Sequence, residues 1–196
     1  MEYDFSGKYT KTNAVTRRLL DGFYGGVTSL LGMTDAASVL EVGCGPGFST
    51  ERLVRALPEG TRIEACDVET RLVEQSRARN PGVPVHERSI YDLRWPARAF
   101  DVVVCLEVLE HLDDPERGLR ELVRVAGRWL ILSVPREPLW RTLNMARLKY
   151  LGDLGNTPGH VQHWSTRGFR GFVAAHAEPV AVRTPVPWTQ LLARVS

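Results

Sequence analysis

The sequence predicts a doubly wound α/β domain, and three observations carry that reading. Short apolar runs alternate with helical segments five times between residues 38 and 134, the pattern of a mostly parallel sheet covered by helices. The first run, Ser38–Val42, ends in the glycine-rich turn Gly43-Cys44-Gly45-Pro46-Gly47, which opens directly into a helix. The run Phe100–Leu106 is almost continuously apolar, as a strand buried on both faces must be.

Thr12 to Leu31 reads as the first helix, with Val15, Leu19, Phe23, Val27 and Leu30 on one stripe. Gly22, Gly25 and Gly26 weaken its middle. Ser38–Val42 is strand one. A helix from Ser49 to Leu57 ends before Pro58, and Thr61–Cys66 is strand two. The helix Glu69–Arg79 stops at Asn80-Pro81-Gly82, a strong breaker. Val83–Arg88 is strand three and Phe100–Leu106 strand four. Asp113-Asp114-Pro115-Glu116 starts the next helix: an Asp caps, Pro sits in the first turn, and acids meet the positive helix end. Leu119, Leu122, Val123 and Ala126 form its inner face, with Gly127 as C-cap. Arg128–Val134 is strand five, Leu139–Leu151 a helix and residues 152–159 a loop. Ser165 caps a helix running to His176, and Val180–Thr184 and Trp188–Val195 are two closing strands joined through Pro185 and Pro187.

A chain of 196 residues gives one domain with a full core and leaves no room for a separate substrate domain. Residues 1–196 are therefore read as one unit, with 1–32 an N-terminal lid and helix and 136–164 an acceptor-side insertion. No run of 18 apolar residues is present, so no transmembrane helix is expected. Met1 to Lys8 contains no apolar signal region, which makes a cytoplasmic location the expectation. Cys44, Cys66 and Cys105 form no C-x-x-C pair and fall at or near strand ends, so reduced, buried thiols are expected. A net charge of +2 from 25 bases and 23 acids argues against a dedicated nucleic-acid binder, which carries a clustered basic surplus.

The glycine turn is a ligand cradle. Glycines let a ligand touch the backbone, and the N–H groups of the following helix hold a carboxylate or phosphate. A dinucleotide fingerprint has the spacing G-x-G-x-x-G. Here it is G-x-G-x-G, with Phe48 where the third glycine would serve the helix–strand contact. Glu41, two residues before the turn, supplies an anion suited to an ammonium. The run Glu41-Val42-Gly43-Cys44-Gly45-Pro46-Gly47 resembles motif I of the class I S-adenosyl-L-methionine (SAM)-dependent methyltransferases. That resemblance spans roughly residue 8 to the C-terminus. It implies a seven-stranded sheet in the order 3-2-1-4-5-7-6, SAM as cofactor and S-adenosyl-L-homocysteine (SAH) as product.

Ligands of open α/β sheets bind outside the carboxyl ends of the strands, which ranks the remaining candidates. Strand two ends at Asp67-Val68. An acid there accepts both ribose hydroxyls, or else caps the next helix; the resemblance implies the ribose role for Asp67 and an adenine contact for Val68. Strand three leads to Ser89 and Ile90. Relatives often carry an Asp near the adenine amino group at the position of Ser89, whose hydroxyl still accepts one hydrogen bond. Asp92 is read as fixing this loop. Strand four ends in Cys105-Leu106-Glu107-Val108-Leu109-Glu110-His111. Cys105 and Leu106 are expected beside the methionine part of SAM, and Glu107 at the pocket floor. Tyr9, in the N-terminal lid, is the candidate for the methionine carboxylate.

On a helical turn the heads of Glu107, Glu110 and His111 converge. The E-x-x-E-H string resembles one in ubiquinone-pathway O-methyltransferases and small-RNA 2′-O-methyltransferases, where it binds a metal with a later His. His160 or His163 would supply that ligand here. The same string is common in relatives that use no metal, and a metal is not the favoured reading. His86 and His176 have no chemical neighbours in sequence and read as packing or surface residues. After strand five, Trp140, Tyr150 and Trp164 with several arginines would roof an acceptor pocket, or form an ordinary amphipathic helix.

These residues point to methyl transfer to a small-molecule acceptor, preferably at oxygen, with His111 and His160 as the bases. Two other classes remain open at this point. One is an NAD-type oxidoreductase, which Phe48 and Glu41 disfavour. The other is a catalytically silent SAM-binding protein.

Overall fold

A computed structural model describes residues 14–146 and 159–196 of the chain. Seven strands form one sheet: β1 (Ser38–Val42), β2 (Arg62–Asp67), β3 (Val85–Glu87), β4 (Phe100–Leu106), β5 (Ala126–Pro135), β6 (Glu178–Arg183) and β7 (Trp188–Arg194). Their order is β3-β2-β1-β4-β5-β7-β6, the order that the resemblance implies. The first five strands pair in parallel, and β7 inserts antiparallel between β5 and β6. The helices are α1 (Ala14–Leu31), α2 (Phe48–Ala56), α3 (Thr70–Arg79), α4 (Pro115–Val125), α5 (Leu139–Ala146) and α6 (Thr166–Ala174).

Alternation along the central strands sorts the core into two layers. Val39, Val102, Val104 and Ile131 face Phe23, Val27 and Leu30 of α1 and Leu53 of α2. Leu40, Val103, Cys105, Leu130 and Leu132 face Leu119, Leu122 and Val125 of α4 and Phe169 and Val173 of α6. Both faces of β1, β4 and β5 are therefore covered, which is why these strands read as continuous apolar runs. Truncating a fully buried leucine such as Leu122 to alanine should cost about 2–5 kcal/mol.

The helix signals act as expected in α4. Asp114 accepts the Arg117 N–H at 3.0 Å, and Pro115 takes the first helical position. Ser165 caps α6 in the same way, accepting from Gly168 N at 3.1 Å. At the other end of the central strands, Asp101 Oδ2 gathers Ala37 N, Ser38 N and Ser38 Oγ at 3.0, 2.8 and 2.9 Å. That carboxylate ties β1 to β4 on the side away from the glycine turn.

Several expectations are corrected. Val15 lies in the first turn of α1, outside the core contact, and is 60% exposed. Gly26 is more than a weak point in that helix. A Cβ there would collide with Gln190 Oε1, and the Gln190 amide donates to Phe23 O at 2.8 Å. Glycine lets α1 approach β7. Gly127 does not cap α4: the helix hands over at Ala126, already extended, and β5 begins at once. A Cβ on Gly127 would press Phe100 O at 3.2 Å, where the β4–β5 register shifts. β3 is shorter than expected, and α6 stops at Ala174 rather than at His176. The continuation of α5 to Leu151, most of the 152–159 loop, Tyr150 and the Tyr9 lid lie outside the described residues.

The three cysteines are free and buried. Burial pushes the Cys66 thiol up to about 12 and raises Cys44 and Cys105 as well, so all three stay protonated and unreactive at neutral pH. No helix among the described residues is long and apolar enough to cross a membrane.

Candidate functional site

The glycine turn sits where β1 ends, beside the ends of β2 and β4. Gly43, Gly45 and Gly47 have φ of 76°, 52° and 83°, conformations that side chains with a Cβ rarely adopt. The backbone is anchored from β2: Gly43 N and Cys44 N both donate to Cys66 O, at 2.8 and 3.0 Å. The three glycines differ in what surrounds them. A Cβ on Gly43 would strike Val108, and one on Gly47 would strike Ser76 and Asn80. At Gly45 a Cβ would meet nothing within 4 Å. The outer glycines thus serve close packing, and the middle one faces open space.

Asp67 closes this turn. Its Oδ2 accepts Gly45 N at 2.8 Å and its Oδ1 accepts Glu69 N at 3.0 Å. The two roles weighed for Asp67 are not exclusive: the carboxylate steadies the start of α3 and stands beside the open side of Gly45. A carboxylate has about four acceptor sites, so two such bonds leave room for hydroxyl donors.

Glu41 is 1% exposed and turned inward, accepting the Thr50 hydroxyl at 2.6 Å. Desolvation raises its carboxyl above the usual range, against hydrogen bonds from Ser49 and Thr50. Phe48 does not crowd the strand. Its half-buried ring opens α2 and lies 3.6 Å beneath the Arg79 guanidinium, whose Nε holds Pro46 O at 3.0 Å.

Beyond Asp67, Val68 is 69% exposed and lines a cleft of about 210 Å³ with Glu87, Arg88, Ser89, Asp92 and Arg94. Val68 and Ser89 line the same cleft. Ile90 does not join them. It is 7% exposed and packs in the α4-side core, near where Gly118 crosses it. The Asp92 carboxylate does not fix the loop as expected; it pairs with Arg94 Nε at 2.7 Å, and the backbone N–H of Asp92 does the fixing, to Ser89 O.

At the end of β4, Leu106 is buried against Phe23 and Trp188. Glu107 has φ +59°, which breaks the helical turn expected there. Its Oε1 accepts Ser133 Oγ and its Oε2 accepts Trp188 Nε1, both at 2.8 Å. The expected convergence of Glu107 with Glu110 and His111 is thus corrected. What converges instead is Glu110, His111 and His160, with ligand atoms all within 4.8 Å of one another. Glu110 is buried beneath the pair, and its carbonyl accepts Val161 N and Gln162 N at 2.8 and 3.0 Å, which carries His160 into place. His163 is exposed and outside this cluster. His111 Nδ1 lies 2.8 Å from Gly159 O. A carbonyl only accepts, so that contact assigns the proton to Nδ1 and leaves Nε2 as the accepting nitrogen of the neutral ring. The His111 and His160 rings meet edge to face at 4.9 Å, and Trp140 lies 5.8 Å from His160. His86 and His176 sit away from the site, near Glu64 and Glu116.

Sequence reasoning missed Ser133 and Trp188 as the partners of Glu107, and Val108 and Asn80 as the packing behind the glycines. Asn80 was legible only as a helix breaker.

Comparison with known proteins agrees with this geometry. Residues 40–128 match the family described as methyltransferase domain. A ubiquinone biosynthesis O-methyltransferase of Xanthomonas axonopodis pv. citri is 33% identical over 126 residues, covering 60% of this chain and 52% of that protein. The chain spans about half the length of the curated relatives it matches first. Among solved structures, a SAM-dependent methyltransferase from Aquifex aeolicus superposes with a TM-score of 0.75 at 18% identity, over 100% of both chains. The magnesium protoporphyrin IX methyltransferase of Synechocystis PCC 6803, solved with bound SAH, gives 0.72 at 19% identity, over 98% of this chain and 93% of that one.

Proposed function

We propose, from the premise that this chain belongs to the class I SAM-dependent methyltransferases, that it transfers a methyl group from SAM to an oxygen of a small-molecule acceptor. One observation carries the cofactor half: the open space over Gly45 lies beside Asp67, whose carboxylate is bonded to that same glycine. Gly43, Gly45 and Gly47 shape the cradle, Asp67 takes the ribose and Val68 with Ser89 flanks the base. Leu106 borders the methionine part. Glu41 sits beneath the turn as a buried carboxyl that braces Thr50, and Glu107 holds the pocket wall.

Methyl transfer is an in-line displacement at a sulfonium methyl, so the protein mainly aligns and desolvates. A hydroxyl acceptor also needs a base. His111 Nε2 supports that role, being the accepting nitrogen of a ring whose tautomer Gly159 O fixes. His160 stands behind it as the second candidate. Glu110, His111 and His160 offer one oxygen and two nitrogens, a set that fits a borderline divalent ion. An ion there would polarise the acceptor oxygen; the steps above need only the chain's own groups.

The test has two arms. Calorimetry with SAH should show saturable binding, and no binding would overturn the cofactor reading. Incubation with methyl-labelled SAM and fractionated small molecules from the source should label one product at oxygen. Binding without label in any fraction would leave the catalytically silent reading in its place.

A further inference from the structure

Helix α3 grips the glycine turn from both of its ends. At the start, Asp67 bonds Gly45 N and Glu69 N, the latter at the cap position of α3. At the finish, three residues reach back. Arg79 Nε donates to Pro46 O at 3.0 Å while its guanidinium covers the Phe48 ring. Asn80 Nδ2 donates to Gly47 O at 2.9 Å. The Ser76 hydroxyl, fully buried, lies 3.7 Å from Cys44 Sγ.

Gly47 needs such a hold. It is the cap residue of α2, and no side-chain bond caps that helix. Its φ of 83° is one of many conformations open to a glycine. Its N–H bonds Cys44 O and its carbonyl accepts Glu51 N, so both backbone bonds stay within the turn and its own helix. Asn80 supplies the bond from outside. The direction of its amide is set by chemistry: Nδ2 faces Gly47 O and Ser76 O, at 2.9 and 3.2 Å, and carbonyls only accept.

We propose that Asn80, assisted by Arg79, is a positioning residue for the cofactor, holding the Gly47 end of the turn in its binding conformation before SAM arrives. The proposal rests on the SAM reading above. Both side chains act through carbonyls of the turn. Arg77 provides the contrast. It lies in the same last turn of α3, but its Nε and Nη2 bond Val85 O of β3 at 2.9 and 2.6 Å. It anchors the helix to the sheet and makes no hydrogen bond to the turn.

SAH affinity by calorimetry, with amide hydrogen exchange over residues 43–50, tests this on folded protein. Asn80→Ala should weaken SAH about tenfold, because fewer molecules hold the competent turn. Without ligand those amides should exchange faster than in wild type, and saturating SAH should restore their protection. Asn80→Asp keeps the size and removes the donor, so it should lose at least as much affinity. Arg79→Ala, at an exposed position, should shift both readouts the same way by less, and it decides the matter if the Asn80 variants do not fold. Arg77→Ala should lower the melting temperature and leave SAH affinity at the wild-type value. Unchanged affinity in the Asn80 and Arg79 variants, wild-type affinity in Asn80→Asp alone, or an equal loss in Arg77→Ala would overturn the assignment while the SAM reading stands. Failure of wild type to bind SAH would instead remove the reading on which the proposal rests, and the proposal with it.

Discussion

The Glu107 carboxylate accepts the indole N–H of Trp188 at 2.8 Å, joining the carboxyl end of β4 to the first residue of β7, 81 positions later. Trp188 in turn meets the Phe23 ring at 4.8 Å and the Trp140 ring at 5.9 Å. One side chain thus fixes the wall shared by α1, α5 and β7. Glu107→Gln would turn an amide N–H₂ toward either Ser133 or Trp188, both donors in the native contacts. Thermal or denaturant unfolding should show a loss of roughly 1–3 kcal/mol. Native stability in this variant would mean that Ser133 and Trp188 find other acceptors at no cost.

Gly45→Val and Gly43→Val should part company. A Cβ at Gly45 meets nothing within 4 Å, so the chain should fold with mainly the strain of a left-handed residue, about 1–2 kcal/mol. It should nevertheless lose SAH binding by calorimetry. At Gly43 the side chain strikes Val108, and the variant should be destabilised before any ligand is considered. Retained SAH affinity in folded Gly45→Val would remove the cradle assignment.

Asp67→Ala should cost both stability and affinity, since it releases Gly45 N and Glu69 N together. A drop of roughly 1.5–3 kcal/mol in SAH affinity is expected. A 2′,3′-dideoxyribose analogue separates the causes. If the variant weakens that analogue by the same factor, Asp67 acts on the turn and not on the ribose.

Glu41 gives a pH signature. Its folded-state carboxyl lies above the usual value, so the protonated form is favoured in the native protein. Its contribution to stability is present in acid, below the unfolded value of about 4.3, and is lost as pH rises through the folded value. Glu41→Gln keeps an oxygen for the Thr50 hydroxyl and cannot ionise. Its melting temperature relative to wild type should climb from pH 4 toward neutrality in the absence of cofactor. A difference that stays flat with pH would mean that Glu41 is as well solvated folded as unfolded.

His111→Ala should lower turnover while leaving SAH affinity nearly unchanged, and EDTA should not affect the wild-type rate. If EDTA stops turnover and Mg²⁺ or Zn²⁺ restores it, the Glu110, His111 and His160 cluster is a metal site instead. Near-normal turnover of the variant with EDTA resistance would exclude both roles.

Most of the sheet was legible because its signals are local. The β1 run, the glycine turn, the breaker at Asn80 and the capped start of α4 each lie within a few residues. Ile90 was misplaced for a reason open to inspection. Ser89 to Asp92 form a tight turn closed by Asp92 N on Ser89 O, and that turn places Ile90 in the core while Ser89 and Asp92 line the cleft. Glu107 was beyond reach. Its positive φ leaves no mark in composition, and its partners are 26 and 81 residues away. The Gly47–Asn80 contact is of the same kind, a bond at 2.9 Å from a residue whose local role is to end a helix.

The insertion of β7 between β5 and β6 also sets an order of events. β6 touches the sheet only through β7, although it precedes β7 in the chain. On the ribosome β6 emerges first and has no strand to join, so it waits as an unpaired edge until β7 docks along β5 from Trp129 to Pro135. The same β7 carries Trp188, the indole that Glu107 holds. Pairing of β7 along β5 and the seating of Trp188 against Glu107 are therefore one event, and a nascent chain halted before Trp188 has neither.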